Sequence, residues 1–366
     1  PEQVLGTSDI TASYITVEGV IDPLGQPRSS EYLSIPGTVK TAFIEMARAS
    51  GIGLIKDETR RNPLYTTSYG TGQLILDAYY TNHKRIVVGT GGAGSHDLGA
   101  GMAQALGVKF VDEEGREMPP YMNNAALEKV KDFELGEIVH ELAENTLIQV
   151  ARDVDHVLLG PHGQGAARTF GRQKGANDEQ IDLLEENTHK FADTLESKLK
   201  KTEEGERNYW NHLMANGIST VGRNYRDVPG VAAGGAISYG ILAFLHGFIN
   251  LRGIGIVADL VNLKSKIGNA VKNASENAII AVITGEGMID ATKFRDKTVM
   301  GVGEIANEVY HEKGRKIPVI AVVGCIGGGY DPGKSARYLD RTFAASDRII
   351  EMPESRSGIF RISSYR

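Results

Sequence analysis

Glu286, Asp290 and Lys297 stand close together in AIIAVITGEGMIDATKFRDK, directly after an apolar run that reads as a buried strand. Open α/β sheets place their ligand crevices just past the carboxyl ends of strands. Carboxylates there can hold Mg²⁺ and a lysine can neutralise phosphate charge. Those are the needs of phosphoryl transfer, whose catalysis is mostly positioning and electrostatics. An exposed loop can carry the same three residues with no role. The segment LIQVARDVDHVLLGPHGQGAARTFGRQKGA repeats the logic, with Asp153 and Asp155 after a short strand and a glycine-rich turn leading to Lys174. One of these carboxylates could take a hydroxyl proton or bind metal. Alternation points both to one side of the strand, so a solvated acidic edge is the plainer alternative. His156 and His162 lack a third ligand at a suitable spacing and read as loop residues.

Two glycine-rich stretches match phosphate-binding patterns. In RIVVGTGGAGSHDLGAGMAQALGVKFVD, Gly89, Gly91 and Gly94 have the G-x-G-x-x-G spacing of a dinucleotide turn, with Asp112 after the next strand. Gly92 adds a further glycine, and Asp97 near the helix start would compete with a pyrophosphate for the same positive dipole. An NAD-dependent oxidoreductase is therefore the weaker reading, beside a plain strand-to-helix turn capped by Asp97. Gly328 to Ser335, GGYDPGKS, satisfies the P-loop pattern. Its physics is poor, because Pro332 has no N–H to donate and Asp331 adds negative charge.

The elements that must position these residues follow from periodicity. Short apolar runs at Arg85 to Val88, Val108 to Val111, Ala278 to Ile283 and Pro318 to Val323 alternate with amphipathic segments, which predicts an α/β fold with largely parallel sheet. Ile181, Leu184, Phe191, Leu195 and Leu199 recur at helical spacing behind a cap at Asn177 or Asp178, predicting a long scaffold helix. Composition bounds the rest: 366 residues, 41% hydrophobic, are enough for two α/β domains. A net charge of −6 with no basic block argues against nucleic-acid binding. The uncharged run from Val228 to Leu251 carries five glycines, His246 and Asn250, and reads as a buried turn and helix rather than a membrane span. The lone Cys325 predicts no internal disulfide, and a cytoplasmic setting follows.

Four ordered blocks together resemble the bacterial-type glycerate kinase family: DPLGQP with TAFIEMARASGIGLI and NPLYTTSYGTGQLI; VVGTGGAGSHDLGAGMAQALG; ARDVDHVLLGPHGQGAARTFGRQKGA; and VPGVAAGGA through VITGEGMIDATKFRDKTVMGV to IPVIAVVG. The resemblance runs from about Ile15 to Tyr330. It implies two α/β domains, one Rossmann-like and assembled from both chain ends, the other inserted between its halves. The expected division is an inserted domain at 9–240 and a Rossmann-like domain at 241–350. The implied chemistry is ATP- and Mg²⁺-dependent phosphorylation of D-glycerate, with a homodimer as a further expectation. The resemblance marks Gly89, Gly91, Gly92, Asp97 and Glu286, which with Ser95 and Lys174 are the expected substrate- or phosphate-binding residues, and it marks Asp153, Asp290 and Lys297, the expected catalytic ones. Asp290 and Glu286 are the implied Mg²⁺ ligands.

The chain departs from the family pattern at definite places. Ala93, Ser95, His96 and Leu98 stand where the family usually has Ser, Thr, Asn and Gly, and His156-Val157 replaces an Asn-Pro. Met288 stands for an Arg and Asp296 for a Gly before Lys297. The family's opening strand and its lysine-and-serine loop have no counterpart before Gly6, so a truncated start is expected, and a non-catalytic relative with a binding or regulatory role is the alternative function.

Overall fold

A computed structural model describes residues 12–152, 154–160, 165–201, 205, 208, 211–212, 215, 224–249, 253–275, 278, 280–289, 298–328 and 330–346. The chain divides into two compact units, Pro1–Gly253 and Ile254–Arg366. The expected boundary at 240/241 falls inside a helix, Ile237–Leu245, whose nine residues are all buried in the first unit. An apolar surface of that kind cannot be shared with a solvent-exposed linker, which is why the division lies beyond it.

The first unit is built on a five-stranded sheet made by β1 (Ser13–Ile21), β2 (Pro27–Ile35), β3 (Thr41–Glu45), β4 (Arg85–Gly89) and β7 (Leu147–Ala151), in the order β1-β2-β3-β4-β7. β2 runs antiparallel to both of its neighbours, β1 and β3, while β3, β4 and β7 are parallel. The predicted strand at Arg85 to Val88 is thus β4, flanked on both sides and buried through its middle. Its near-continuous apolar run is what a strand covered on both faces requires. A separate ribbon pairs β5 (Lys109–Val111) with β6 (Asp132–Glu134). Asp112 does not close a ligand site. Its side chain accepts from the backbone N–H groups of Glu114 and Arg116 and so forms the turn after β5.

Helix α1 (Tyr69–Tyr80) crosses against the short helix α2 (Ala100–Ala105). Helix α3 (Asp178–Leu199) is the long scaffold helix read from the sequence. Asn177 accepts from the Gln180 N–H while the Gln180 side chain accepts from the Asn177 N–H, a complete capping box. Its apolar stripe carries Ile181, Leu184, Phe191 and Leu195 into the interior. Helix α4 (Ile237–Leu245) fills the core from the other side, as expected of the long uncharged run. Among the described residues, no helix is long and apolar enough to cross a membrane.

In the second unit β8 (Val282–Ile289), β9 (Val319–Ile326) and β10 (Arg341–Ser346) form an all-parallel sheet in the order β10-β9-β8. Helices α5 (Leu263–Asn273) and α6 (Thr298–Lys313) contact each other, and α6 lays Val299, Met300 and Ala306 against Ile289, Val319, Ala321 and Val323. The β8 strand begins four residues later than the apolar run suggested and continues through the glycines. Gly285 and Gly287 fall on its open face and the ladder to β9 runs on to Ile289. Glu286 therefore sits within the strand, opposite Val323, and not beyond its end. Cys325 is buried with its thiol free.

Four aromatic rings hold the first unit's layers together. Phe110 of β5 meets Phe191 of α3 and Phe244 of α4, each at 5.8 Å between centroids, and Phe133 of β6 meets Phe244 at 5.7 Å. Because Phe110 joins three elements and is fully buried, Phe110→Ala should cost about 3–5 kcal/mol, measured as a fall in the denaturant midpoint at unchanged m-value.

Candidate active site

The chain after β4 does not enter a helix directly. Gly92 takes a left-handed conformation with φ of 71°. The turn is stitched to the segment after β3: Ile52 N–H donates to the Gly92 carbonyl at 2.9 Å and Gly94 N–H donates to that of Ser50 at 2.9 Å. A Cβ on Gly94 would lie 2.9 Å from the Ile52 nitrogen, so glycine is required by this close approach. Since α2 begins only at Ala100, the strand-turn-helix of a dinucleotide fingerprint does not form, and the G-x-G-x-x-G spacing serves local contacts with residues 50–52.

Facing this turn is a second glycine turn, Gly234, Gly235 and Ala236, all at positive φ, leading into α4. His156 supports it from below, its carbonyl accepting from the N–H groups of Gly230 and Ala232. Between the two turns lies a cleft of about 290 Å³ whose walls include Thr90, Gly91, Gly92 and Ala93 on one side and Ala232 to Gly235 on the other. Ile52, Val154 and Phe170 give it apolar surface, and Gln173 and Lys174 complete it. Lys174 is the one charged residue among the described lining residues.

Lys174 ends a 3-10 turn, Arg172–Lys174, closed by Gly175 at φ of 93°. Only 4% of the residue is exposed. Its Nζ donates to the Ser95 carbonyl at 2.6 Å. Gly235 closes over this bond: a Cβ there would stand 1.9 Å from the Ser95 oxygen and 2.9 Å from Nζ. Burial pushes the Lys174 amine down to about 8, against the opposing pull of the Asp97 charge.

Asp97 is fully buried and does not line the cleft. One carboxylate oxygen accepts from the Ser68 N–H and the Ser68 hydroxyl, both at 2.7 Å, and from the Gly101 N–H at 3.2 Å; the other accepts from the Gly99 N–H at 3.4 Å. Ser68 Oγ itself accepts from the Met102 N–H at 3.0 Å, which commits its proton to Asp97. Burial raises the Asp97 carboxyl above its usual range while the Ser68 and Gly101 donors lower it. Four donors and no acceptor fit the ionised form, which only accepts.

Of the residues marked from the sequence, Gly91, Gly92 and Lys174 meet at the cleft. Gly89 closes β4, and Ser95 contributes its carbonyl while its hydroxyl is buried with no partner among the described residues. Asp97 lies beneath as a buried anion, and Glu286 belongs to the second unit. Asp153, Asp290, Lys297 and His162 lie outside the described residues. Asp155 is exposed and pairs with Arg152. In GGYDPGKS, Asp331 accepts from the Gly333 N–H at 2.8 Å, and the Tyr330 hydroxyl bonds those of Ser335 at 2.8 Å and Thr342 at 3.0 Å. Sequence reasoning missed Gly234 and Gly235 as a cleft wall. Their only signal was the run AAGGA before an apolar segment. Among the described residues, no group of three or more His, Cys, Asp or Glu could hold a metal.

The Glycerate kinase family model matches residues 5–358. This chain belongs to the glycerate kinase family. The match extends past both ends of the stretch in which the resemblance was legible. The chain is 35% identical over 318 residues to a glycerate kinase of Bacillus subtilis (strain 168), covering 87% of this chain and 72% of that one. It is 35% identical over 307 residues to a glycerate 2-kinase of Escherichia coli (strain K12), covering 84% and 69%. The fold is similar to a crystal structure assigned as glycerate kinase 2 from Salmonella typhimurium LT2, with a TM-score of 0.70 at 29% identity over 96% of this chain and 78% of that one. The expected α/β architecture is thereby the family's own.

His96, where the family usually has Asn, is fully buried, and both ring nitrogens lack a partner among the described residues. Burial, helped by the Lys174 charge, pushes its imidazole down to about 3. The unfolded chain therefore binds a proton near pH 6.5 that the folded chain refuses until about pH 3. Stability from this residue is complete above pH 6.5 and is lost progressively as pH falls toward 3. His96→Asn should flatten that slope, so that the variant's unfolding free energy gains on the wild type's between pH 7 and pH 5 in denaturant titrations.

Proposed function

We propose that this chain phosphorylates D-glycerate with ATP and Mg²⁺, the acid's carboxylate held by the Lys174 ammonium in the glycine-walled cleft. The observation that carries this reading is the single buried cation in an otherwise uncharged described lining. One positive charge balances one carboxylate. A triphosphate carries several negative charges and calls for metal and further cations. Ile52, Val154 and Phe170 suit the carbon skeleton of a short acid, and the facing glycine turns let backbone approach it closely.

The family match supports the remaining roles. Asp153, which precedes the cleft residue Val154 in the chain, is assigned to receive the proton of the acceptor hydroxyl. In the second unit Glu286 lies within β8, between Gly285 and Gly287. One or two carboxylates with phosphate oxygens is the usual set for Mg²⁺. Glu286 and Asp290 would hold the ion, which offsets charge on the nucleotide phosphates, and Lys297 would add to that offset. The same reading makes the protein a cytoplasmic enzyme acting on small molecules.

A coupled ADP-release assay with D-glycerate, ATP and Mg²⁺ tests the activity. No turnover above background would favour the non-catalytic relative. Lys174→Met should raise KM for glycerate by at least about tenfold while KM for ATP stays within about twofold. Because the binding form is the cation, present below about pH 8 and lost above it, kcat/KM for glycerate should fall as pH rises through about 8. A flat profile from pH 7 to 9.5 would remove Lys174 from acid binding.

A further inference from the structure

We propose that Asp97 is a positioning residue for this reaction, the buried counter-charge that holds the Lys174 ammonium ready for the acid's carboxylate. The proposal rests on the reading that Lys174 binds the acid. Three features of the geometry support it. Asp97 cannot reach the ligand itself, being fully buried and absent from the cleft wall. Its carboxylate is fixed by donors from two separate elements, Ser68 before α1 and Gly101 in α2. Lys174 is fixed two residues away in the chain, through the Ser95 carbonyl.

The pair is therefore clamped from both ends without a direct ion pair. The ammonium keeps its remaining N–H donors for a ligand and still feels the charge of Asp97. A contact ion pair would instead have spent the cation on Asp97. Asp97 favours the Lys174 cation, and Lys174 in turn opposes protonation of His96, which burial holds neutral. The facing turn from Ala232 to Ala236 holds no titratable side chain. Removal of the Asp97 charge thus leaves a buried ammonium with only the Ser95 carbonyl to stabilise it, and the lysine surrenders its proton at lower pH.

The decisive experiment is a cycle of Asp97→Asn, Lys174→Met and the double variant, each read by glycerate KM across pH and by thermal unfolding. Asparagine keeps the shape and an acceptor oxygen for the Ser68 and Gly101 donors but carries no charge. At pH well above 8, where KM follows the shrinking fraction of Lys174 cation, Asp97→Asn should raise KM for glycerate by about tenfold, the change a one-unit fall in pKa produces there, and by no more than about twofold at pH 7. It should move the alkaline limb of kcat/KM to lower pH and leave KM for ATP unchanged. Added to Lys174→Met, it should raise Tm relative to Lys174→Met alone, because it relieves a buried carboxylate left without its cation. A purely structural Asp97 gives the opposite pattern: lower Tm in both backgrounds by equal amounts, with glycerate KM and its pH limb unmoved in the surviving enzyme. That pattern overturns the proposal. If Asp97→Asn does not fold, Ser68→Ala weakens the same clamp from outside the pair, and an unmoved alkaline limb in that variant also overturns it. Wild-type protein without glycerate turnover would count against the functional reading. The Tm cycle would still decide whether the two buried charges are coupled.

Discussion

A buried ammonium sets the terms for much of the first unit. Taking the Lys174 charge out of water costs several kcal/mol even after relaxation, and the chain meets that cost with fixed partners rather than solvent. The Ser95 carbonyl supplies a hydrogen bond at 2.6 Å and Asp97 supplies the opposite charge. Each partner imposes its own requirement. Ser95 must present its carbonyl inward, so Gly235 must lack a side chain, since a Cβ would occupy the space 1.9 Å from that oxygen. Asp97 must be buried, so the Ser68 turn and the first turn of α2 must both aim donors at it. The glycine-rich character of the two facing turns is thus tied to one charge.

The partners of that charge are far apart in the chain. Ser68, Ser95, Lys174 and Gly235 come from four stretches of chain, and β4 with its neighbours β3 and β7 is the frame that brings them together. The frame itself is stabilised elsewhere, by the Phe110, Phe133, Phe191 and Phe244 contacts and by the all-buried helix α4. Stability and site are coupled through α4, whose amino end is the Gly234 to Ala236 turn and whose body is core.

What could be read from the sequence divides along the same line. Strands β4, β5 and β9 and helix α3 were legible because burial on a regular element leaves a period, and the capping box at Asn177 marks its start locally. The start and end of β8 were not, since glycine is ordinarily a turn signal and only the pairing with β9 shows that Gly285 and Gly287 lie on an open sheet face. Gly91, Gly92 and Lys174 were reached through ordered motif blocks. Asp97, expected at the ligand, is fully buried and does not line the cleft, because spacing reveals that an acid stands near a helix start and not which way it faces. Gly235 was missed for a related reason: its neighbour Ser95 is 140 residues distant in the chain, and no local pattern records such an approach.

The departures from the family pattern take on a physical meaning at this level. Ala93 meets Gly51 through backbone bridging, and the bonding atom of Ser95 is its carbonyl, so neither position depends on a hydroxyl to build the cleft. Leu98 stands where the family usually has Gly, and its φ of 56° is the left-handed conformation that glycine adopts freely. A leucine there sacrifices about 1–2 kcal/mol of backbone energy. Leu98 is fully buried in the main core, and such burial returns about 1.5–3 kcal/mol, enough to offset the strain. The backbone path is therefore kept although the side chain has changed. His96 is the departure without such compensation, since it brings two ring nitrogens into the interior beside Lys174 and finds no described partner for either. The positions at Ala93, Ser95 and Leu98 thus leave the backbone geometry of the cleft intact, while His96 places an imidazole held neutral by burial and by the Lys174 charge in the interior beneath it.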